Sequence, residues 1–381
     1  MTVARKLRMG MVGGGPGAFI GPVHRIAAEL DGKIELVAGA FSQSAERSRA
    51  AGESYKIEPG RAYANYQEML DAERRRPDPI DFVAIVTPNH LHLPVAEAAL
   101  QAGFPVMSDK PATATYKEAL SLEKAVAMSG MPYGLTHTYA GYPLVREARE
   151  ICASGTIGKI RKIAVEYLQG WLSQPIETTG QKQAAWRADP ALSGPGGCIG
   201  DIGVHAFHLV EYVTGLKVTE LYATLLSVVA GRRVDDDCTA LLRLDNGASG
   251  VLMTSQIAAG EGNGLRLRVY GEVGSLDWKQ EDPNRLRLKW QNGLEEIRHA
   301  SGSYLSGDAR AATRLPGGHP EGYLEAFAVL YREFADGLEA WKAGQPGPLP
   351  PTLPGIVAGV RGMRFIDRAI ESSQQKSWIE F

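Results

Sequence analysis

Nothing in this chain supplies the cysteine pairs, the charge or the apolar run on which several protein classes depend. Three cysteines in 381 residues, Cys152, Cys198 and Cys238, lie far apart without C-x-x-C or zinc spacing. That excludes a disulfide framework and a cysteine metal centre, no metal is expected, and reduced thiols in a cytoplasmic protein are. The formal net charge is only -2, and Lys and Arg cluster nowhere beyond Arg74-Arg75-Arg76. A triplet of that kind reads as the solvated end of a helix, which leaves no electrostatic case for nucleic acid or an anionic membrane. No apolar run approaches the length of a membrane span, and no repeat or low-complexity tract occurs. What is present, 44% apolar and 22% charged residues, is the composition of a globular protein whose length favours two domains over one core.

The most informative stretch is Arg8 to Gly21, R-M-G-M-V-G-G-G-P-G-A-F-I-G, a strand pattern running into a glycine-rich turn and a helix that reaches Leu30. Gly13 supplies the positive φ of a tight strand-to-helix turn, and Gly15 lets a pyrophosphate approach the backbone. Ala18 takes the third small position of G-x-G-x-x-G/A. Pro16, Gly17, Phe19 and Ile20 complete the turn that would face the anion, where free N–H groups and the helix dipole favour negative charge. A second strand, Ile34 to Phe41, follows and completes a βαβ context.

From Leu7 to about Cys152, short apolar runs alternate with helical patterns: a strand at Asp81–Val86, a helix at Leu91–Ala102, Pro105–Ser108, a helix at Tyr116–Met128 and a strand near Tyr133–Thr138. Near-continuous apolar strands between helices predict a doubly wound parallel Rossmann sheet. From Lys159 the period becomes two, at 163–168, 220–229, 239–244, 250–257, 265–270 and 285–290. Asp245-Asn246-Gly247 is a hairpin turn between two of these runs. This half reads as an open, mainly antiparallel sheet with helices at Val204–Thr214 and Tyr323–Trp341. The expected division is a dinucleotide-binding domain over 1–140 and a substrate-binding and oligomerisation α+β domain over 141–381. A proline-rich connector at 345–351 leads to a final helix over 352–372 with the option of packing back on the first domain. The open sheet needs cover, and a homodimer or homotetramer through that face is expected.

Three constellations carry chemistry. Thr87-Pro88-Asn89-His90-Leu91-His92 follows the Asp81–Val86 strand, at a position that borders the cofactor crevice of a Rossmann sheet. Pro88 stiffens the turn, Asn89 is placed to cap the next helix, and His92 falls in its first turn. Ser108-Asp109-Lys110-Pro111 ends the following strand. An ammonium there would favour a developing alkoxide or relay its proton. In Gly194 to His208, Asp201 either caps a helix or projects from its start. Its spacing of four to His205 puts both on one helical face, where a carboxylate orients an imidazole base. His208 is assigned to the core. Each element alone is also compatible with an ordinary capped helix or a surface lysine before a turn.

Together, the glycine turn, T-P-N-x-x-H, x-K-P and D-x-x-x-H occur in an order that resembles the Gfo/Idh/MocA family of NAD(P)-dependent oxidoreductases, over essentially the whole chain. The resemblance implies that Lys110 is the catalytic lysine, that Asp201 and His205 handle substrate, and that Thr87, Pro88, Asn89 and His92 contact the cofactor. Two departures stand out. Asp109 replaces the family's usual Glu and is one methylene shorter. The second strand ends Gly39-Ala40-Phe41-Ser42 without the usual acidic residue, so Ser42 is left to bond a ribose hydroxyl, and Arg47 or Arg49 is available to a 2′-phosphate. NAD is favoured and NADP permitted.

Candidate substrate residues are Lys110, Tyr139, Trp171, Trp186, Arg187, Asp201, His205 and His319. Trp and Tyr offer apolar faces to sugar C–H groups, while Arg, Asp and His bond hydroxyls; ordinary packing at a strand end is the other reading of Trp171. The absence of a basic cluster favours a neutral sugar, anhydrosugar or inositol. The T-H-T-Y run at 136–139 and G-G-H-P-E-G-Y at 317–323 are similar to the levoglucosan-dehydrogenase-like branch. A sugar or cyclitol dehydrogenase is the leading expectation. The alternatives are an NAD-retaining glycosidase or lyase working by transient oxidation, and a non-catalytic nucleotide-binding regulator.

Overall fold

The computed structural model describes residues 5–345 and 349–381; the Pro-Gly-Pro of the connector at 346–348 lies outside them. The chain divides into two compact units, Met1–His137 with Phe327–Val360, and Thr138–Ala326 with Arg361–Phe381. The helices Tyr323–Lys342 and Ile356–Gln375 therefore each contribute residues to both units.

The first unit holds a parallel sheet of β1 (Leu7–Gly13), β2 (Ile34–Ala40), β3 (Phe82–Val86), β4 (Val106–Asp109) and β5 (Tyr133–Thr136), in the order β2-β1-β3-β4-β5. Met9, Met11, Phe82, Val83, Ala84 and Ile85 are fully buried, because helices cover both faces and leave no side of the sheet for polar residues. Strand order reverses between β1 and β3, where an open α/β sheet leaves a crevice at its carboxyl ends. Gly13 pairs with Val86, Ile85 with Ser108 and Asp109 with Thr136. The turns after β1, β3 and β4 thus leave the sheet along one edge. The helix Tyr116–Ser129 is closed by a capping box between Thr115 and Glu118 and by Gly130 in the left-handed region.

The second unit holds a nine-stranded sheet. Its strands are β6 (Lys162–Leu168), β7 (Val218–Leu226), β8 (Asp237–Leu244), β9 (Ser249–Ser255), β10 (Gly264–Tyr270), β11 (Gly274–Lys279), β12 (Arg285–Trp290), β13 (Glu295–His299) and β14 (Ile379–Glu380). Their order is β13-β12-β11-β10-β6-β9-β8-β7-β14. Pairing is antiparallel except between β6 and β9. The helices Pro143–Ala153 and Val204–Thr214 cover one face, on which Ile163, Val165, Leu252, Leu265, Leu267 and Val269 are buried. On the other face Leu241 and Met253 remain 45% and 36% exposed. At the β8–β9 turn Gly247 has φ +85° and Asn246 Oδ1 accepts from the N–H of Ala248, as D-N-G requires.

Several boundaries differ from the sequence reading. β7 stops at Leu226 and β9 at Ser255, and the last helix is Ile356–Gln375. β11 and β13 were not read as strands: β13, E-E-I-R-H, carries one apolar residue because it is the charged edge of the sheet. Among the described residues no helix is long and apolar enough to cross a membrane, no group of three or more His, Cys, Asp or Glu is arranged to hold a metal, and the three cysteines are unpaired.

Candidate active site

In the first unit, β1 ends at Gly13 with φ +95°, a conformation costly for any residue with a Cβ. The sequence reading explained Gly15 by ligand approach, yet its missing Cβ already faces the chain, since one built there lies 2.4 Å from the Phe41 carbonyl oxygen. Ala18 precedes the first helix. Its N–H bonds the Gly15 carbonyl ahead of the helix Ile20–Leu30, and the tight spot is Gly21, where a Cβ would lie 2.3 Å from Gly14 Cα. Pro16, Gly17 and Phe19 are exposed, and Phe19 stands at the helix start. That start has no side-chain cap and no acidic residue in its first turn. Tyr55 braces the turn, donating its hydroxyl to the Gly14 carbonyl at 2.7 Å while its ring packs on Phe41.

After β2, the Ser42 Oγ accepts from Ser44 N–H, and Ser44 caps the helix Ala45–Ser54 through the Arg47 N–H. Arg47 and Arg49 are exposed on that helix. After β3, Asn89 does not cap the expected helix. A 3₁₀ turn, Asn89–Leu91, intervenes, so the α-helix begins at His92 with Leu91 as an N-cap that makes no side-chain bond. Thr87 and Pro88 are partly buried. His92 is buried, its Nδ1 2.6 Å from the Pro111 carbonyl oxygen and its Nε2 2.9 Å from that of Thr87. Burial lowers its pKa, so the neutral ring donates to one carbonyl at a time.

β4 delivers Asp109 and Lys110, with a cis bond to Pro111. Thr136 donates to Asp109 Oδ1 at 2.7 Å, and His24 Nε2 lies 3.5 Å from the same oxygen. Burial alone would raise the carboxyl's pKa, but the His24 contact and the Lys110 charge hold it well below the usual carboxylate range.

In the second unit, Asp235 fixes the approach to the helix Val204–Thr214 by accepting from the N–H groups of Gly197 at 2.6 Å and Ile199 at 2.7 Å. Burial pushes its carboxyl up to about 6. The next turn, Ile199–Gly203, is π-helical and carries Asp201. One Asp201 oxygen accepts from Arg187 Nε at 3.1 Å and Gln256 Nε2 at 2.9 Å. The Arg187 guanidinium lies 4.3 Å from the Trp186 ring centre and 5.9 Å from that of Trp171. His205 is buried with its ring edge-on to Tyr139 at 4.9 Å. The Tyr139 and Tyr167 hydroxyls share a hydrogen bond, and Tyr167 donates to Asn263 Oδ1 at 2.7 Å. Gln169 donates to the same oxygen at 2.7 Å, and its own carbonyl accepts from Trp171 Nε1 at 3.0 Å. Burial raises both phenol pKa values, which keeps the hydroxyls protonated as donors.

The structure therefore joins Tyr139, Trp171, Trp186, Arg187, Asp201 and His205 in one network. Gln169, Gln256, Asn263 and Tyr167 belong to it and were missed. His319 does not join it: it is exposed on a turn, its Nδ1 3.2 Å from the Pro316 carbonyl oxygen. His208 is buried against Tyr212 with its pKa pushed down to about 3, chiefly by burial.

Residues 7–137 match the model of an oxidoreductase family with an NAD-binding Rossmann fold, and residues 145–277 match the GFO/IDH/MocA C-terminal domain. The Bacillus subtilis oxidoreductase YfiI is 33% identical over 100% of this chain and 98% of its own. The chain belongs to the Gfo/Idh/MocA oxidoreductase family. A solved Azotobacter vinelandii inositol dehydrogenase homolog complexed with NAD+ superposes with a TM-score of 0.96 at 34% identity, covering 100% of this chain and 98% of that one. Levoglucosan dehydrogenase of Pseudarthrobacter phenanthrenivorans is 25% identical over 99% of this chain and 98% of its own.

The glycine turn of this Gfo/Idh/MocA oxidoreductase fits the pyrophosphate of NAD on its own geometry. Gly13, Gly14 and Gly17 have positive φ, and the uncapped helix start offers N–H groups without a competing carboxylate. Because the Gly21–Gly14 contact is backbone against backbone, Gly21→Ala is expected to destabilise the protein by about 1–3 kcal/mol and to weaken NADH binding. Ala18→Gly should cost less than about 1 kcal/mol. Thermal unfolding with NADH fluorescence titration compares the two, and equal effects would contradict the placement of the tight contact.

Proposed function

We propose that the protein is an NAD-dependent dehydrogenase, or reductase in the reverse direction, acting on a ring hydroxyl of a neutral sugar, anhydrosugar or inositol. The observation that carries this reading is the network of the second unit. Two carboxamides, Gln169 and Gln256, join Asn263, Asp201 and Arg187 beside the partly exposed rings of Trp171 and Trp186. Such a set offers donors and acceptors to hydroxyls and flat apolar faces to ring C–H groups. Arg187 is charge-balanced by Asp201, which disfavours phosphorylated or polycarboxylate substrates. The similarity to the inositol dehydrogenase homolog and to levoglucosan dehydrogenase supports the same class.

Bound NAD supplies the hydride acceptor at nicotinamide C4. Neutral His205 takes the hydroxyl proton, Asp201 holds the imidazole in orientation, and the Lys110 ammonium stabilises the developing alkoxide. The first unit serves the cofactor and contributes Lys110, and the second serves the substrate and self-association. A second copy covers the apolar outer face around Leu226, Leu241 and Met253, which are 53%, 45% and 36% exposed. The protein works in the cytoplasm, where its three free thiols stay reduced.

A panel of myo-inositol, levoglucosan and free sugars, assayed with each cofactor, tests the reading. Net NADH accumulation with at least one polyol is expected; glycoside cleavage without it would favour the redox-assisted lyase. NAD should serve, with NADP not strongly excluded because Ser42 leaves no charge against a 2′-phosphate. A preference for NADP beyond about 100-fold, ~2.7 kcal/mol, reverses the cofactor assignment and implicates Ser42 with Arg47 or Arg49.

A further inference from the structure

Lys110 is flanked by two chain neighbours, each fastened by a buried histidine. On the upstream side, Asp109 Oδ1 lies 3.5 Å from Nε2 of His24, which is 0% exposed. The other nitrogen of His24, Nδ1, is 2.7 Å from the Tyr331 hydroxyl, and the ring stands edge-on to Phe327 and Tyr331. On the downstream side, the Pro111 carbonyl oxygen lies 2.6 Å from Nδ1 of His92, which is tied in turn to the Thr87 carbonyl. Lys110, between them, is only partly buried.

From this geometry we propose that His24 is a positioning residue for Lys110, acting through Asp109, while His92 holds Pro111 on the other side; the inference rests on the reading of Lys110 as a catalytic residue. The polar character of the His24 site is the main argument. A carboxylate and an imidazole taken out of water are a poor source of stability, and apolar side chains of similar volume would fill the same space at no electrostatic cost. Their geometry, however, is directional. His24 stands on the helix that follows the glycine turn, Asp109 closes β4, Thr136 closes β5, and Tyr331 lies on the helix Tyr323–Lys342. The Asp109 carboxylate is thereby tied to two elements besides its own strand, one of them linked through His24 to a third. Its short side chain is held by Thr136 and His24, so it anchors the backbone immediately before Lys110. His92 does the same for the backbone immediately after, on the turn that follows β3. An ammonium that must meet a developing charge gains from such fixing, because a displacement of about 1 Å at a reacting group costs on the order of 100-fold in rate.

The test combines turnover, cofactor affinity and lysine reactivity in wild type, His24→Leu, His24→Gln, Asp109→Asn and Lys110→Ala. Turnover uses the best substrate of the polyol panel. His24→Leu removes both ring contacts, whereas His24→Gln keeps an amide donor for Asp109. The expected result is a fall in kcat of about 10- to 100-fold in His24→Leu, with partial recovery in His24→Gln and an NADH Kd within about threefold of wild type in both. Reductive methylation read by mass spectrometry should show the rate at Lys110 altered relative to that at exposed Lys159; this readout needs no substrate, and a merely structural role would not move it. Wild-type kcat and labelling ratio in a folded His24→Leu protein would overturn the proposal. So would losses that track NADH affinity and are equal in the Leu and Gln variants. If His24→Leu does not fold, His24→Gln and Asp109→Asn decide by the same readouts, an unchanged labelling ratio in both being the refuting result. Unchanged turnover in Lys110→Ala removes the catalytic assignment beneath the inference. Turnover lost in Lys110→Ala but retained in His24→Leu removes only the inference itself.

Discussion

Lys110→Ala is expected to bind NADH normally and to lose roughly 100-fold or more in kcat, the scale of a positioned electrostatic or acid–base group. The residue stands at the carboxyl end of β4, one strand beyond the β1–β3 switch point, and its neighbours on both sides are held by buried contacts. A cation so placed contributes little to the dinucleotide's ground-state binding and much to an alkoxide that forms only during reaction. Removal should therefore appear in kcat rather than in cofactor affinity. Fluorescence titration with NADH and steady-state rates on the polyol panel separate the two. Near-wild-type turnover with every active substrate would take Lys110 out of the mechanism.

His205 and Asp201 should behave as a unit. With His205 as general base, kcat/KM for alcohol oxidation rises with pH through an imidazole ionisation, because only the neutral ring accepts a proton. His205→Ala should abolish that limb and cost about 100-fold or more. Asp201→Asn should slow oxidation while keeping the fold, since an amide no longer stabilises the imidazolium formed in the reaction. Asp201 also anchors Arg187 and Gln256, so this variant should in addition raise KM for the polyol. The kcat effects of the two substitutions should be non-additive, because without His205 the carboxylate has no base to orient. Independent effects in the double variant would mean that the residues act separately. A pH profile unaltered in His205→Ala would pass the base role to Lys110.

The parts of the site legible in sequence share one property: each is a local pattern with a local cause. The glycine turn is visible because only glycine tolerates φ +95° at residue 13. The Thr87, Lys110 and Asp201 segments are visible because each adjoins a strongly patterned strand or helix. Asn89 was misread because a 3₁₀ turn moved the helix start to His92, and nothing in T-P-N-H-L-H distinguishes that turn from a capped helix. The close approach of Gly21 to Gly14 was not foreseen, since the pairing of a helix with a turn depends on where the helix begins.

By itself the sequence determined the parallel Rossmann half, the period-two half, the hairpin at Asp245-Asn246-Gly247 and the spacing of Asp201 and His205. All of these follow from backbone preferences and side-chain periodicity within some twenty residues. Only the tertiary structure decided that β6 and β9 run parallel, with Leu168 paired to Ser255. That register brings Gln169 and Gln256, 87 residues apart in sequence, out of the sheet side by side at the rim that holds Trp171 and Asp201. It likewise decided that His24, which no motif singles out, faces Asp109. Strand direction and long-range register are set by which buried faces fit together across the whole sheet, and no local pattern carries that information.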